Sequence, residues 1–369
     1  MKNDKMLKPA KTGGLKKIFS NQIFIPISAL LILLLFNLIR DPSFFSISIK
    51  ETSSGHSVIS GNLMTILDNG SELAILAMGM TLVTAATGGQ DISVGAVIAI
   101  GGSVILRIVC GTGGQTDTVS VGLFVLAFVV CCVVTMLFGA FNGALVSLFK
   151  IQPMVATLIL YTAGRSIAAW INNNKLPKVN DPAFGYIGGY IPGIPVPTPI
   201  FVAIICIIIV FLALKFTNIG LYTQSVGINE NSSKLNGINP VFIKFISFVI
   251  LGLCVGVAAL IKVSRISTIN YSVVAKDIEM DAILAVALGG NALSGGKFNM
   301  SASILGAYII QFLTTTLYAM QVPSDALPAY KAVVVIILVV MSAPAVKEKV
   351  SLLNGKIKAK KETSVKEVG

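Results

Sequence analysis

Apolar stretches separated by short polar interruptions run the length of this chain, and their spacing predicts helices rather than strands. Crossing a bilayer as a helix takes about 20 mainly apolar residues, since roughly 30 Å of hydrocarbon is covered at about 1.5 Å per residue. On that measure the pattern predicts spans near residues 23–39, 71–88, 92–109, 120–148, 154–172, 199–216, 241–263, 279–290, 299–320 and 329–346, about ten crossings. The segments 71–88 and 279–290 are short, and each runs straight into a glycine-rich interruption. They read either as full crossings joined by tight turns or as broken helices and re-entrant hairpins. If both were re-entrant, the count would fall to six, with both termini still on one side.

The two interruptions resemble each other. LVTAATGGQDISVGAVIAIGG and ILAVALGGNALSGGKFNMSASILGA each run apolar, Gly-Gly, polar pair, serine, glycine. Weak internal symmetry of this kind is expected where a transported molecule passes between repeats. A helix broken at Gly88–Gly89 or Gly289–Gly290 frees backbone amides and carbonyls, which membrane depth tolerates only beside protein or a wet cavity. Asp91 points the same way, because an acid inside a span usually faces a cavity or a partner. Gln90, Ser93, Asn291 and Ser294 add neutral hydrogen-bonding groups, so these breaks suit a neutral polyhydroxylated solute. An alternative reading makes Asp91 the cap of the following helix, accepting amides from the Ser93–Gly95 region. Arg165 lies well inside its span and either snorkels to the interface or faces a polar interior; Asn142 and Gln152 are further polar positions.

Composition fixes the solvent. The 369 residues are 54% hydrophobic and only 12% charged, with mean hydropathy +0.86, against about 25% charged in soluble domains. The class is therefore an all-α polytopic membrane protein with both termini cytoplasmic. The net charge of +12 does not signal a nucleic-acid partner, because lysines sit in tails and short loops rather than on a basic helix interleaved with aromatics. Of the Lys and Arg residues, 18 fall on the segments assigned inside, nine outside, and Arg165 within a span. The chain thus divides into a basic cytoplasmic tail (1–22), a transmembrane unit (23–346) with an inner loop at 217–240, and a second basic tail (347–369). Both tails suit the anionic face of the lipid bilayer. The first apolar run exceeds a secretory signal core and no A-x-A site follows it, so it reads as a retained span.

Chemistry for catalysis is missing from the pattern. His56 is the one histidine and sits in a polar loop; Cys110, Cys131, Cys132, Cys206 and Cys254 lie in apolar runs without metal-ligand spacing. No Walker A, HExxH or suitably placed Gly-x-Ser-x-Gly pattern occurs, so no metal, no cofactor and no enzymatic activity is expected. GAFNG (Gly139–Gly143) and GLCVG (Gly252–Gly256) are close-approach patterns, read as helix packing within the subunit or, more sharply, as a dimer seam.

Three stretches taken together, GMTLVTAATGGQDISVGAVIAIGG, FNGALVSLFKIQPMVATLILYTAGR and ALGGNALSGGKFNMSASILGAYII, resemble the permease subunits of ABC monosaccharide importers of the ribose, galactose and autoinducer-2 type. That family usually carries an apolar residue where Gln90 stands, so substrate preference is not carried across. The resemblance implies a bacterial inner-membrane permease moving a pentose or hexose by alternating access. It also implies a second permease subunit, a cytoplasmic ABC ATPase pair and an extracytoplasmic solute-binding protein. SVGINENSSKLNGINP resembles the family's coupling segment, with Asn231, Ser232, Ser233 and Gly237 holding the spacing of Glu-Ala-Ala, three residues, Gly. A short helix in this loop then docks into an ATPase groove, with Glu230, Asn231, Ser232, Ser233, Lys234, Leu235, Gly237 and Ile238 as the coupling residues and Leu235 and Ile238 as apolar anchors on one side. Other readings are a nucleoside or branched-chain amino-acid permease, a stand-alone secondary transporter using Asp91, and, least favoured, an intramembrane enzyme. The segments 41–67 and 184–199 suit either reception of the binding protein or plain surface loops.

Overall fold

The computed structural model describes residues 24–51, 57–112 and 114–342. The two basic tails and His56 fall outside these residues. Among them are twelve α-helices: α1 (Phe24–Arg40), α2 (Asn62–Thr87), α3 (Val94–Cys110), α4 (Val121–Ser147), α5 (Pro153–Ile171), α6 (Thr198–Phe216), α7 (Ile219–Ile228), α8 (Glu230–Leu235), α9 (Pro240–Ile266), α10 (Ile278–Leu288), α11 (Met300–Ala319) and α12 (Leu327–Ser342). Six of them, α2, α4, α5, α6, α9 and α11, are long and apolar enough to cross a membrane; α1, α3 and α12 are apolar but shorter. A small antiparallel hairpin pairs β1 (Ser48–Glu51) with β2 (Ser57–Ser60), and β3 (Gln115–Thr116) lies parallel to β4 (Lys178–Val179).

The two doubtful segments resolve in opposite ways. The first is no short helix: α2 begins nine residues before the apolar pattern does and runs for 26. The extra turns carry Asp68 and Asn69, which hydropathy rejects, and lead into Glu72 at the start of the expected span; all three pair with a distant helix. Arg265 meets Asp68 at 2.8 Å and Asn69 at 2.5 Å, and Lys262 meets Glu72 at 3.0 Å. The second, α10, has 11 residues, about 16 Å of rise, and cannot cross a bilayer alone.

Packing places α2 at the centre, with α9, α11, α6 and α10 around it. Lipid offers helices no hydrophobic reason to associate, so close approach through small residues does the holding. Both GxxxG patterns serve this within the subunit, as α4 lies directly on α9. A Cβ on Gly139 would strike the Phe248 carbonyl oxygen, and one on Gly252 would stand 2.5 Å from the Thr135 carbonyl oxygen. The outward faces of α4 and α6 stay apolar, with Leu137 and Ile209 more than half exposed, as lipid contact requires.

The bundle has two distinct ends. At one, Asn37 of α1 donates to Thr316 (2.9 Å), Tyr190 donates to the Ile59 carbonyl (3.2 Å), and the hairpin sits over the start of α2. At the other, α7 packs beneath the end of α2, α8 packs on α7 and α9, and Glu230 pairs with Lys244 at 2.6 Å. We call these the hairpin end and the α8 end.

Candidate functional site

The two glycine-rich interruptions, far apart in sequence, are docked on each other. Helix α2 stops because Gly88 turns into the left-handed region (φ 66°), where its amide still reaches the Thr84 carbonyl at 2.9 Å. A Cβ at Gly88 would stand 2.6 Å from the Ser294 carbonyl oxygen, so glycine is also needed for approach. The Gly296 amide donates to the Ala85 carbonyl at 2.9 Å, and Gln90 donates to the Leu293 carbonyl at 3.2 Å. A carbonyl at the end of α2 is thus satisfied by an amide of the second break, and a carbonyl of the second break by a side chain of the first.

Asp91 closes a tight turn onto Ser93, the residue that precedes the first turn of α3. Its Oδ1 accepts from the Ser93 amide (2.7 Å) and hydroxyl (2.6 Å), while Asn142 donates to Oδ2 at 3.1 Å and to the Ser93 hydroxyl at 3.0 Å. The carboxylate is buried just before the N-terminus of α3, where the helix dipole favours negative charge. The cavity beside it, lined by Asn142, Thr135 and Gly139, offers about 10 Å³, close to the least that holds a single water. A sugar does not fit there in this state. Asn291 is likewise engaged: its amide donates to Ser303 at 2.6 Å, its oxygen accepts from the Asn299 amide at 2.6 Å, and Thr81 continues the chain to Ser303 at 2.7 Å. Gln90, Asp91, Ser93, Asn142 and Asn291 are all buried, whereas Ser294 is exposed.

Arg165 is half-buried and turned toward backbone carbonyls of the protein. Its guanidinium donates to the Tyr271 and Val274 carbonyls, both at 2.9 Å, and so pins the irregular segment between α9 and α10 against α5. That segment delivers Glu279, a buried acid the hydropathy pattern did not single out, onto Gly95 in the first turn of α3. Helices α3 and α10 therefore meet N-terminus to N-terminus about 22 Å from the far end of α3, with Glu279 between two positive dipole ends. Its sequence signal was the acid pair in IEMDAILAVAL; Asp281, the other member, meets Lys331 at 2.8 Å.

At the α8 end, Asn229 caps α8 by accepting from the Ser232 amide at 2.9 Å, and Gly237 (φ 79°) turns the chain out of it. Ser233 is buried, whereas Asn231, Ser232, Lys234 and Leu235 are exposed, Leu235 at 90%. Ile238 is half-buried, so Leu235 stands out as the free apolar anchor. The preceding helix α7 touches the break itself: a Cβ on Gly227 would strike the Ala85 carbonyl oxygen.

This geometry carries a prediction. In Asp91→Asn one of the three donors to the carboxylate must face an amide nitrogen, a buried mismatch worth about 1–3 kcal/mol. We expect a lower melting temperature in detergent with solute uptake per folded molecule within about threefold of the parent. Uptake abolished at an unchanged melting temperature would instead put Asp91 on the solute's route.

Comparison with known proteins places residues 62–343 within the family model described as branched-chain amino acid transport system / permease component. The chain is 34% identical over 350 residues to a fructose import permease protein of Bifidobacterium longum, covering 92% of this chain and 94% of that protein. It is 35% identical over 318 residues to a galactofuranose transporter permease protein of Escherichia coli, covering 85% and 88% respectively. It is 32% identical over 317 residues to a ribose import permease protein of the same species, covering 85% and 91%. No solved structure matches.

Proposed function

We propose, for a chain that belongs to the branched-chain amino acid transport system permease family, that it is the membrane subunit of an ATP-driven sugar importer of the pentose or hexose class. The observation that carries this reading is near full-length likeness to permeases named for fructose, galactofuranose and ribose. As a permease component it has no catalytic site, and ATP is hydrolysed by a partner ATPase. The hairpin end then faces the extracytoplasmic solute-binding protein, and the α8 end faces the cytoplasm of a bacterium, across its inner membrane.

The solute's route lies between two permease copies, on the face made by α5 and the 270–280 segment. Thr162, Ser166, Lys276 and Asp277 are exposed there. Because Glu279 reaches Gly95 within α3, Lys276 and Asp277 stand at membrane depth, where exposed charges face water or protein rather than lipid. Ser294 lies at the inner exit of this route; Gln90, Asp91, Ser93, Asn142, Asn291 and Arg165 hold its walls in shape. Motion of α8 passes to the adjoining α7, whose Gly227 touches Ala85 at the break, which gives alternating access a physical link.

The test is uptake of radiolabelled ribose, fructose, galactose, uridine and leucine by vesicles containing the permease, its ATPase and its binding protein. Uptake of at least one sugar that requires both ATP and the binding protein is expected. Uptake of leucine or uridine alone, or uptake driven by a proton gradient without ATP, would overturn the reading.

A further inference from the structure

Away from the breaks, at the hairpin end, two polar stripes face each other across a cavity that offers about 380 Å³ to solvent. Asn62, Thr65 and Asn69 recur at helical spacing on α2, and Gln311, Thr315 and Tyr318 do so on α11. That volume lies within the roughly 300–1,000 Å³ of small-molecule pockets, far above the water-sized space beside Asp91. No charged side chain lines it.

Its two walls differ: on α2 the Asn62 amide donates to the Phe44 carbonyl and the Thr65 hydroxyl to the Gly61 carbonyl, both at 3.2 Å, whereas on α11 Gln311, Thr315 and Tyr318 make no side-chain hydrogen bond among the described residues. The threonines flanking Thr315 each spend their hydroxyl on a carbonyl one turn back, Thr314 on Ile310 (2.8 Å) and Thr316 on Phe312 (2.9 Å). Thr315 does not: it is 6% exposed and its Oγ1 has no partner among the described residues. A buried hydroxyl left unpaired is costly unless something outside the chain pairs it. The oxygen of Asn69 accepts from Arg265 at 2.5 Å, which orients its amide NH₂ away from that partner. Tyr318 is half-exposed and presents an amphipathic ring of the sort that packs on an apolar face while its hydroxyl stays polar.

Neutral donors and acceptors on two walls, one aromatic and no charge match a neutral polyhydroxylated molecule and reject an ion or a zwitterion. We propose that the α2–α11 cavity is a receiving site for a monosaccharide at the extracytoplasmic mouth of the permease. This inference rests on the sugar-importer reading but concerns a site apart from the route along α5.

The experiment uses the full-length permease with its ATPase in nanodiscs and a Thr65→Cys variant on the exposed rim of the cavity. The five native cysteines are buried or half-buried, and the parent supplies their background. Labelling by a membrane-impermeant maleimide is timed with ribose, fructose or leucine at millimolar concentration. We expect a sugar to slow labelling about fivefold and leucine to leave it unchanged. Adding Thr315→Val should weaken that protection about fivefold, the value of one hydrogen bond, without lowering the melting temperature, since an unpaired hydroxyl is removed. The site is overturned by no labelling of Thr65→Cys at all, by equal protection from leucine, or by slowing in phosphatidylglycerol discs with no added effect of sugar. If the complex imports sugar but no sugar protects the thiol, the cavity assignment falls and the importer reading stands. If it imports none, both fall.

Discussion

Leu235→Asp is expected to reduce recovery of the ATPase with the tagged permease at least about 30-fold, and binding-protein-dependent uptake with it. The magnitude follows from position. Leu235 is 90% exposed at the last turn of a six-residue helix, and among the described residues it is almost free of contact. An apolar anchor at the centre of a docking surface typically costs about 2 kcal/mol or more when lost, and that energy is about 30-fold in affinity. Aspartate adds an unpaired charge to whatever groove receives it. The fold should not suffer, because α8 is held by the Asn229 cap, the buried Ser233 and the Glu230–Lys244 pair, none of which involves Leu235. Leu235→Met, similar in volume and flexible, should keep most of the recovery. Equal recovery of the ATPase by the aspartate variant and the parent would remove α8 as the docking element.

What the sequence made legible depended on how local each cause was. The apolar runs of α4 and α6 announce themselves because lipid demands the same chemistry all round them. The start of α2 was hidden because Asp68 and Asn69 look like loop residues until Arg265, nearly 200 positions later, is seen beside them. GxxxG patterns signalled close approach, and the choice between an internal and a subunit contact needed the partner: each glycine motif turned out to face the other's helix. The turn that Asp91 closes onto Ser93 was accessible because its donors are two residues away; the Asn142 contact was not, being across helices. Likeness between the two breaks was visible, but their docking was not. Two similar segments carry no instruction about whether they lie symmetrically apart or directly together. Arg165 shows the same limit, since its partners are backbone carbonyls, which every sequence possesses.

That docking sets up the second large effect. Gly88→Ala is expected to lower uptake more than about 100-fold and to shift much of the purified protein into aggregates, whereas Gly193→Ala should stay within about tenfold of the parent. Both glycines adopt positive φ, 66° and 85°, so each alanine meets backbone strain of about 1–2 kcal/mol. They differ in what surrounds them. A Cβ on Gly193 meets nothing within 4 Å, whereas one on Gly88 meets the Ser294 carbonyl at 2.6 Å. The obstacle is backbone on both sides, so no side-chain rotation relieves it. To admit the methyl, the two breaks must part, which disrupts the Gly296–Ala85 and Gln90–Leu293 hydrogen bonds. Each group left unpaired there costs about 1–3 kcal/mol. The difference between the two variants therefore isolates the contact from the torsion, with elution profiles and uptake per folded molecule as the readouts. Gly88→Ala behaving like Gly193→Ala would mean that the breaks are free to separate, and that their mutual satisfaction is not what keeps interrupted helices stable inside the bilayer.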